Sequence, residues 1–248
     1  MVKITILGCG ASFGTPVIGC KCNTCLSDSP YNKRSRSAII IAKNNKKILV
    51  DFGFDIKQQL LRAKIDNVDY AILTHDHADH VAGIEELRIF SFYHKKPIEI
   101  FTDFDSGKSI ANKYHYLLRD NVMNINIIKY PDKKTIGNID MIFFKQHHGS
   151  VNSAGIRIGN FVYSTDVVSF PKESEEFLHN IEQWVLDCAS YESNFSHAGL
   201  DKVLQWNEKY KPKKILLTNM RHNIDYFEIQ KYLPSNIVPL YDGFEITV

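Results

Sequence analysis

The chain has 248 residues, 44% of them hydrophobic, and its 30 basic and 28 acidic side chains leave a formal charge of +2. That near-balance argues against a large electrostatic footprint for nucleic acid, and the length suffices for one large α/β domain or two small ones. No run approaches the ~18 apolar residues of a membrane span.

In chain order, Val2–Leu7 reads as a strand rather than a secretory segment, so a cytoplasmic location is the expectation. Five cysteines, three within six residues, then read as metal ligands or free thiols and not as a disulfide framework. Gly8-Cys9-Gly10-Ala11-Ser12-Phe13-Gly14 superficially matches a dinucleotide fingerprint. Pro16 and Gly19 follow where a helix should open, so the segment reads instead as a close-approach glycine loop. In the loop at about 19–26, Cys20, Cys22 and Cys25 offer three thiolates to one structural zinc and call for a fourth ligand from elsewhere.

Ser37–Ala42 and Lys47–Val50 read as strands, the second ending in Asp51, and 54–63 as a helix. The apolar run Tyr70-Ala71-Ile72-Leu73 delivers Thr74-His75-Asp76-His77-Ala78-Asp79-His80, and helical apolar spacing continues to about Tyr93. Imidazoles mixed with a carboxylate suit zinc, manganese or iron(II) and not calcium. Four donors in six residues can hardly share one ion, but His75 with His77 and Asp79 with His80 can serve two neighbouring ones.

Further strands are expected at 99–102, 125–130 and 140–146, with a helix at 106–119. His147-His148-Gly149 follows; His148 is preferred over His147 as a ligand because it precedes the glycine. A hairpin about Gly159 ends at Thr165-Asp166. The remainder reads as a helix at 177–181, a strand at 184–187 and a helix at 199–210 behind His197. Next come a strand at 214–218 ending in Asn219, then Arg221-His222, a helix at 225–232, and strands at 237–241 and 244–248. Cys9 and Cys188 read as buried small apolar residues. Strands repeatedly end in His, Asp or Asn, as in a site built along a sheet edge. No linker composition divides the chain, so 1–248 is treated as one domain.

These residues resemble the metallo-β-lactamase-fold hydrolases: His75-x-His77-x-Asp79-His80, His148-Gly149, Tyr163-Ser164-Thr165-Asp166 and Leu217-Thr218-Asn219 carry the likeness from Gly8 to Gly243. The cysteine triplet looks like that of the PhnP-like branch, the phosphoribosyl cyclic phosphate phosphodiesterases. The resemblance implies an αββα sandwich of class α/β (α+β in some schemes), two mixed sheets packed face to face with helices outside. It implies two divalent metals, zinc or manganese, along one edge: His75, His77 and His148 on one, Asp79 and His80 on the other, Asp166 bridging. Asp51 would support a ligand histidine from behind, His197 would be catalytic with Asp79 beside it, and His222 would complete the structural zinc site.

The branch usually places a histidine ligand where this chain has Asn219, a weaker donor. Either Asn219 ligates weakly, water completes the shell, or His222 swings in and leaves three ligands on the cysteine site. The expected activity is a phosphodiesterase acting on a small cyclic or compact phosphodiester with metal-activated hydroxide, nucleic acid being the less favoured partner and a homodimer one assembly the sequence leaves open. The alternatives are a tRNA 3′-processing endonuclease of the same superfamily, against which the missing Gly/Pro-rich arm counts, and a non-catalytic metal carrier, which Asn219 favours.

Overall fold

The computed structural model describes residues 1–248. Its elements in chain order are β1 (Lys3–Gly8), α1 (Asn23–Leu26), β2 (Ala38–Lys43), β3 (Lys46–Val50), α2 (Ile56–Arg62), β4 (Tyr70–Ile72), α3 (Ala78–Val81) and α4 (Arg88–His94). Then come β5 (Ile98–Thr102), α5 (Phe104–Lys113), α6 (His115–Arg119), β6 (Met123–Ile127), β7 (Asp132–Ile136), β8 (Ile139–His148), β9 (Val151–Ile158) and β10 (Phe161–Ser164). The chain closes with β11 (Gln183–Asp187), α7 (Leu200–Tyr210), β12 (Lys214–Thr218), α8 (Tyr226–Gln230), β13 (Ile237–Pro239) and β14 (Glu245–Thr247).

Two seven-stranded mixed sheets result, ordered β14-β1-β2-β3-β4-β5-β6 and β13-β12-β11-β10-β9-β8-β7. This is the αββα sandwich. The alternation expected of strands decides which side chains meet between the sheets. In β2 and β3, Ile39, Ile41, Ile48 and Val50 turn inward to the main core, while Ala38, Ile40 and Leu49 turn outward to meet Leu60 and Ile56 of α2. The buried strands β11 and β12 are apolar on both faces, Val185, Leu186, Ile215, Leu216 and Leu217 all having no exposure. Cys9 and Cys188 are likewise fully buried. No helix is long and apolar enough to cross a membrane.

Strands β3 to β6 run parallel, as do β10 to β13. Their carboxyl ends therefore line up, and the residues just beyond them collect at one edge. Asp51, Asp166 and Asn219 each turn the chain there with left-handed φ of 62°, 50° and 59°. Asn and Asp tolerate that region better than other side-chain-bearing residues, and strain of this kind concentrates at functional sites.

Four elements differ from the sequence expectation. In place of a helix at 177–181 the chain forms a 3-10 helix over Lys172–Leu178 and is irregular at 179–181 before β11. The helix expected to run unbroken from the histidine cluster to Tyr93 is interrupted at Gly83, whose amide donates to Phe52 O at 2.8 Å. A Cβ there would sit 2.2 Å from Gly53 O, so the chain is pinned to the β3–α2 turn and cannot continue its helical path. The helix at 106–119 starts earlier, capped by Asp103, whose Oδ1 accepts from Ser106 N, and breaks at Tyr114. Strand β7, Asp132-Lys133-Lys134-Thr135-Ile136, was not expected; it is a sheet edge, where charged side chains discourage further pairing and hide the apolar alternation.

Candidate metal centre

Strand β4 ends at Ile72 and delivers Thr74 and His75 to the sheet edge. Thr74 is held by Asp51: its amide and hydroxyl donate to Oδ1 at 2.9 and 3.0 Å. Asp51 Oδ2 accepts from His80 Nδ1 at 2.8 Å, which leaves His80 Nε2 free as a donor atom. The second glycine of this region fits the loop closely. A Cβ on Gly53 would fall 1.8 Å from Asp79 O, so only glycine lets the β3–α2 turn abut the histidine loop.

Three imidazoles converge. His75 Nε2 and His77 Nδ1 lie 3.0 Å apart, and His148 Nε2 is 3.2 Å from His77 Nδ1. His148 comes from the end of β8, and its Nδ1 is fixed at 2.7 Å by Ser196 O, which again turns Nε2 toward the cluster. Asp166, beyond β10, adds a carboxylate: Oδ2 is 3.2 Å from His80 Nε2, and Oδ1 is 3.7 Å from both His148 Nε2 and His197 Nδ1. Three overlapping donor groups arise in this way, His75-His77-His148, His75-His80-Asp166 and His148-Asp166-His197, each with its donor atoms within 4.8 Å of one another. Asp166 belongs to two of them and is thus placed between neighbouring positions.

Asp79 belongs to none of these triplets, but its Oδ2 is 3.6 Å from His80 Nε2. Asn219 is brought to the same edge with its Nδ2 end toward Asp187 Oδ1 and His197 Nδ1, both at 3.2 Å. The amide donates to Asp187 Oδ1, which leaves Asn219 Oδ1 as its one atom able to ligate.

Electrostatics suit cations here. Burial first, then the neighbouring His80, hold His75 well below the usual imidazole range, and burial with His148 lowers His77. Neutral imidazoles are what a metal requires. Burial opposes a charged His80, yet the Asp166 and Asp51 carboxylates raise it well above its ordinary value; Asp166 is held well below the carboxylate range despite its burial, His80 being the largest favourable charge. The donors are nitrogen and carboxylate oxygen from the ends of β4, β8 and β10, joined by His197, a fit for zinc or manganese.

Sequence reasoning missed Asp187. Its Oδ2 lies 3.0 Å from His197 Nδ1 and also accepts from Val167 N at 3.0 Å. The signal was present: Asp187 ends β11, flanked by Asp166 after β10 and Asn219 after β12, in the same strand-tip pattern.

Away from this edge, Cys20, Cys22, Cys25 and His222 form a second group within 4.8 Å. His222 Nδ1 is 3.3 Å from Cys20 Sγ and 3.4 Å from Cys22 Sγ, and Cys25 Sγ accepts from Val17 N at 3.3 Å. All five cysteines are free thiols. His222 hydrogen-bonding lowers Cys22 to about 6, whereas burial lifts Cys25 to about 11. Three sulfurs and one imidazole within this radius fit a closed tetrahedral zinc site, and His222 is placed with the cysteines and not at the rim.

A family model described as the beta-lactamase superfamily domain matches residues 46–220. A crystal structure of a new diphosphatase from the PhnP family superposes with a TM-score of 0.94 at 27% identity, covering 100% of this chain and 98% of that one. An octanoyltransferase of Porphyromonas gingivalis is 27% identical across 100% of this chain and 52% of its own length. The chain thus spans about half of that relative. A ribonuclease Z of Clostridium kluyveri is 32% identical over 35% of this chain and 24% of its own.

Proposed function

The chain belongs to the beta-lactamase superfamily, is PhnP-like and shares the hydrolase fold, and on that footing we propose that it is a metal-dependent phosphodiesterase acting on a small cyclic or compact phosphodiester. The observation that carries the reading is the position of Asp166, within 3.7 Å of His80, His148 and His197 at once. His75, His77 and His148 would hold one cation, Asp79 and His80 a second, with Asp166 between them. When bound, such a pair lowers the pKa of water and stabilises charge on a phosphoryl oxygen.

The chain's own residues supply the rest. Asp51 and Ser196 O fix the tautomers of His80 and His148, so that Nε2 of each faces the ions. Asp187 occupies His197 Nδ1, which leaves Nε2 as the atom that can face substrate. Burial disfavours an imidazolium, but the Asp187 and Asp166 carboxylates raise His197 to about 9. At neutral pH it therefore carries a proton, suited to balancing phosphoryl charge or protonating the departing alkoxide.

The test is turnover of bis(p-nitrophenyl) phosphate with added Mn²⁺ or Zn²⁺. Activity that falls by at least about 10²-fold in Asp79→Ala and His77→Ala supports the reading; inactive wild type with either metal, or variants that lose nothing, rejects it. A second reading, tRNA 3′-processing, has one observation in its favour, the partial match to the Clostridium kluyveri ribonuclease Z. Cleavage of a pre-tRNA at its 3′ end, in preference to small diesters, would favour it.

A further inference from the structure

The two cation positions of the rim are offered different donors. His75, His77 and His148 bring three imidazole nitrogens together, His77 Nδ1 lying 3.0 Å from His75 Nε2 and 3.2 Å from His148 Nε2. Around His80 the balance is reversed. Asp51 holds its Nδ1 and leaves Nε2, which meets carboxylate oxygens: Asp166 Oδ2 at 3.2 Å and Asp79 Oδ2 at 3.6 Å. His75 also comes within 4.8 Å of this group, but Thr74 Oγ1 engages its Nδ1 at 3.1 Å and its Nε2 faces His77.

Neither neighbour restores the missing nitrogen. His197 approaches Asp166 with Nδ1 at 3.7 Å, but that atom lies 3.0 Å from Asp187 Oδ2, to which it donates its proton. Asn219 commits Nδ2 to Asp187 Oδ1 at 3.2 Å, so an amide oxygen is all it can contribute. One fully buried carboxylate, Asp187, thus fixes both. The two oxygens of Asp166 are unequal as well. The Thr165 hydroxyl donates to Oδ2 at 2.6 Å, drawing charge from the oxygen that faces His80 and not from Oδ1, which faces His148.

We propose that the rim is a mixed-metal site, with zinc at the three imidazoles and manganese among His80, Asp79, Asp166 and Asn219, and that Asn219 sets this choice. Imidazole nitrogen suits zinc, whereas carboxylate, carbonyl and water oxygens suit manganese. Zinc outbinds manganese at most sites of nitrogen and oxygen, so the effect of an oxygen-rich shell is to narrow that gap until the supply of each metal decides. The inference rests on the reading above for the division of these donors between two cations.

The experiment dialyses the full chain against zinc with manganese in excess, counts both metals by mass spectrometry and follows manganese by electron paramagnetic resonance. Wild type holds two zinc ions, one of them at the cysteines, and one manganese whose resolved hyperfine spectrum shows no manganese neighbour. In Asn219→His a third zinc replaces the manganese and the spectrum is lost, while zinc kept by Cys20, Cys22, Cys25 and His222 reports that the variant is folded. Chelator titration of wild type loaded with zinc alone finds one rim zinc bound at least about tenfold more weakly than the other. Three zinc ions in wild type under excess manganese, two manganese ions at the rim, equal affinity of the two rim zinc ions, or a folded Asn219→His with wild-type metal content overturns the inference and leaves the phosphodiesterase reading standing. The expected metal counts without turnover of bis(p-nitrophenyl) phosphate reject that reading alone.

Discussion

His197 leans on Asp187 more closely than on the carboxylate at the centre of the site: Nδ1 is 3.0 Å from Asp187 Oδ2 and 3.7 Å from Asp166 Oδ1. Asp187 is completely buried and has its other oxygen against Asn219, so the pair is held rigidly. With His197 raised to about 9, the imidazolium is present below that pH and is lost as pH rises through it. Activity that needs the proton falls across the same range. Asp187→Asn removes the first of the two charges that favour imidazolium, so the alkaline fall moves to lower pH and kcat at pH 8 drops by about 10²-fold. A kcat–pH profile of both proteins checks this; an alkaline limb that does not move assigns Asp187 no part in the proton.

Asp51 acts through His80. It is buried without exposure, and burial raises its pKa, opposed first by His80. Asp51→Ala frees His80 Nδ1 and the Thr74 hydroxyl together, and metal affinity at the rim falls by about 10–100-fold. Competition against a chromogenic chelator measures it.

The cysteine site should be separable from the rim. His222→Ala leaves three thiolates, so one zinc per chain is released faster to chelator while the rim metal is retained. The same variant lowers Tm, since α1 and its loop lose their attachment to the Arg221–His222 segment. Retention of all zinc at wild-type rates would place His222 outside the site.

Asp225 gives a pH test of stability remote from catalysis. It caps α8, accepting from Phe227 N at 2.9 Å and Glu228 N at 3.1 Å, and takes a hydrogen bond from Asn32 Nδ2 at 2.6 Å. Burial works against its charge, but these donors, Glu228 N foremost, lower its pKa. A depressed carboxylate contributes stability that is complete above its ordinary pKa and disappears as pH falls through the folded value. Asp225→Ala therefore costs about 1 kcal/mol near neutrality and less in acid. Urea unfolding at pH 7 and below pH 4 would show a difference that narrows.

The fold and the donor residues that meet at its rim were legible because they sit where local sequence pattern is strong. Histidines crowded behind Tyr70–Leu73, and acidic or amide residues closing apolar strands, mark the same edge that the parallel strands later align. Asp187 carries the same strand-tip signal, but its partnership with His197 depends on the sheet order that sets it between Asp166 and Asn219. The direction of the Asn219 amide is likewise tertiary: its partners Asp187 and His197 lie 32 and 22 residues away. The break at Gly83 follows from its packing on Gly53, which no helical periodicity reports.

The most direct test is a crystal structure of metal-reconstituted protein with anomalous data at the zinc and manganese edges. The account predicts one zinc among Cys20, Cys22, Cys25 and His222, and two ions about 3.5–4 Å apart on either side of Asp166, one facing His75, His77 and His148. A filled cysteine site with no ion between His148 and Asp166 would contradict it.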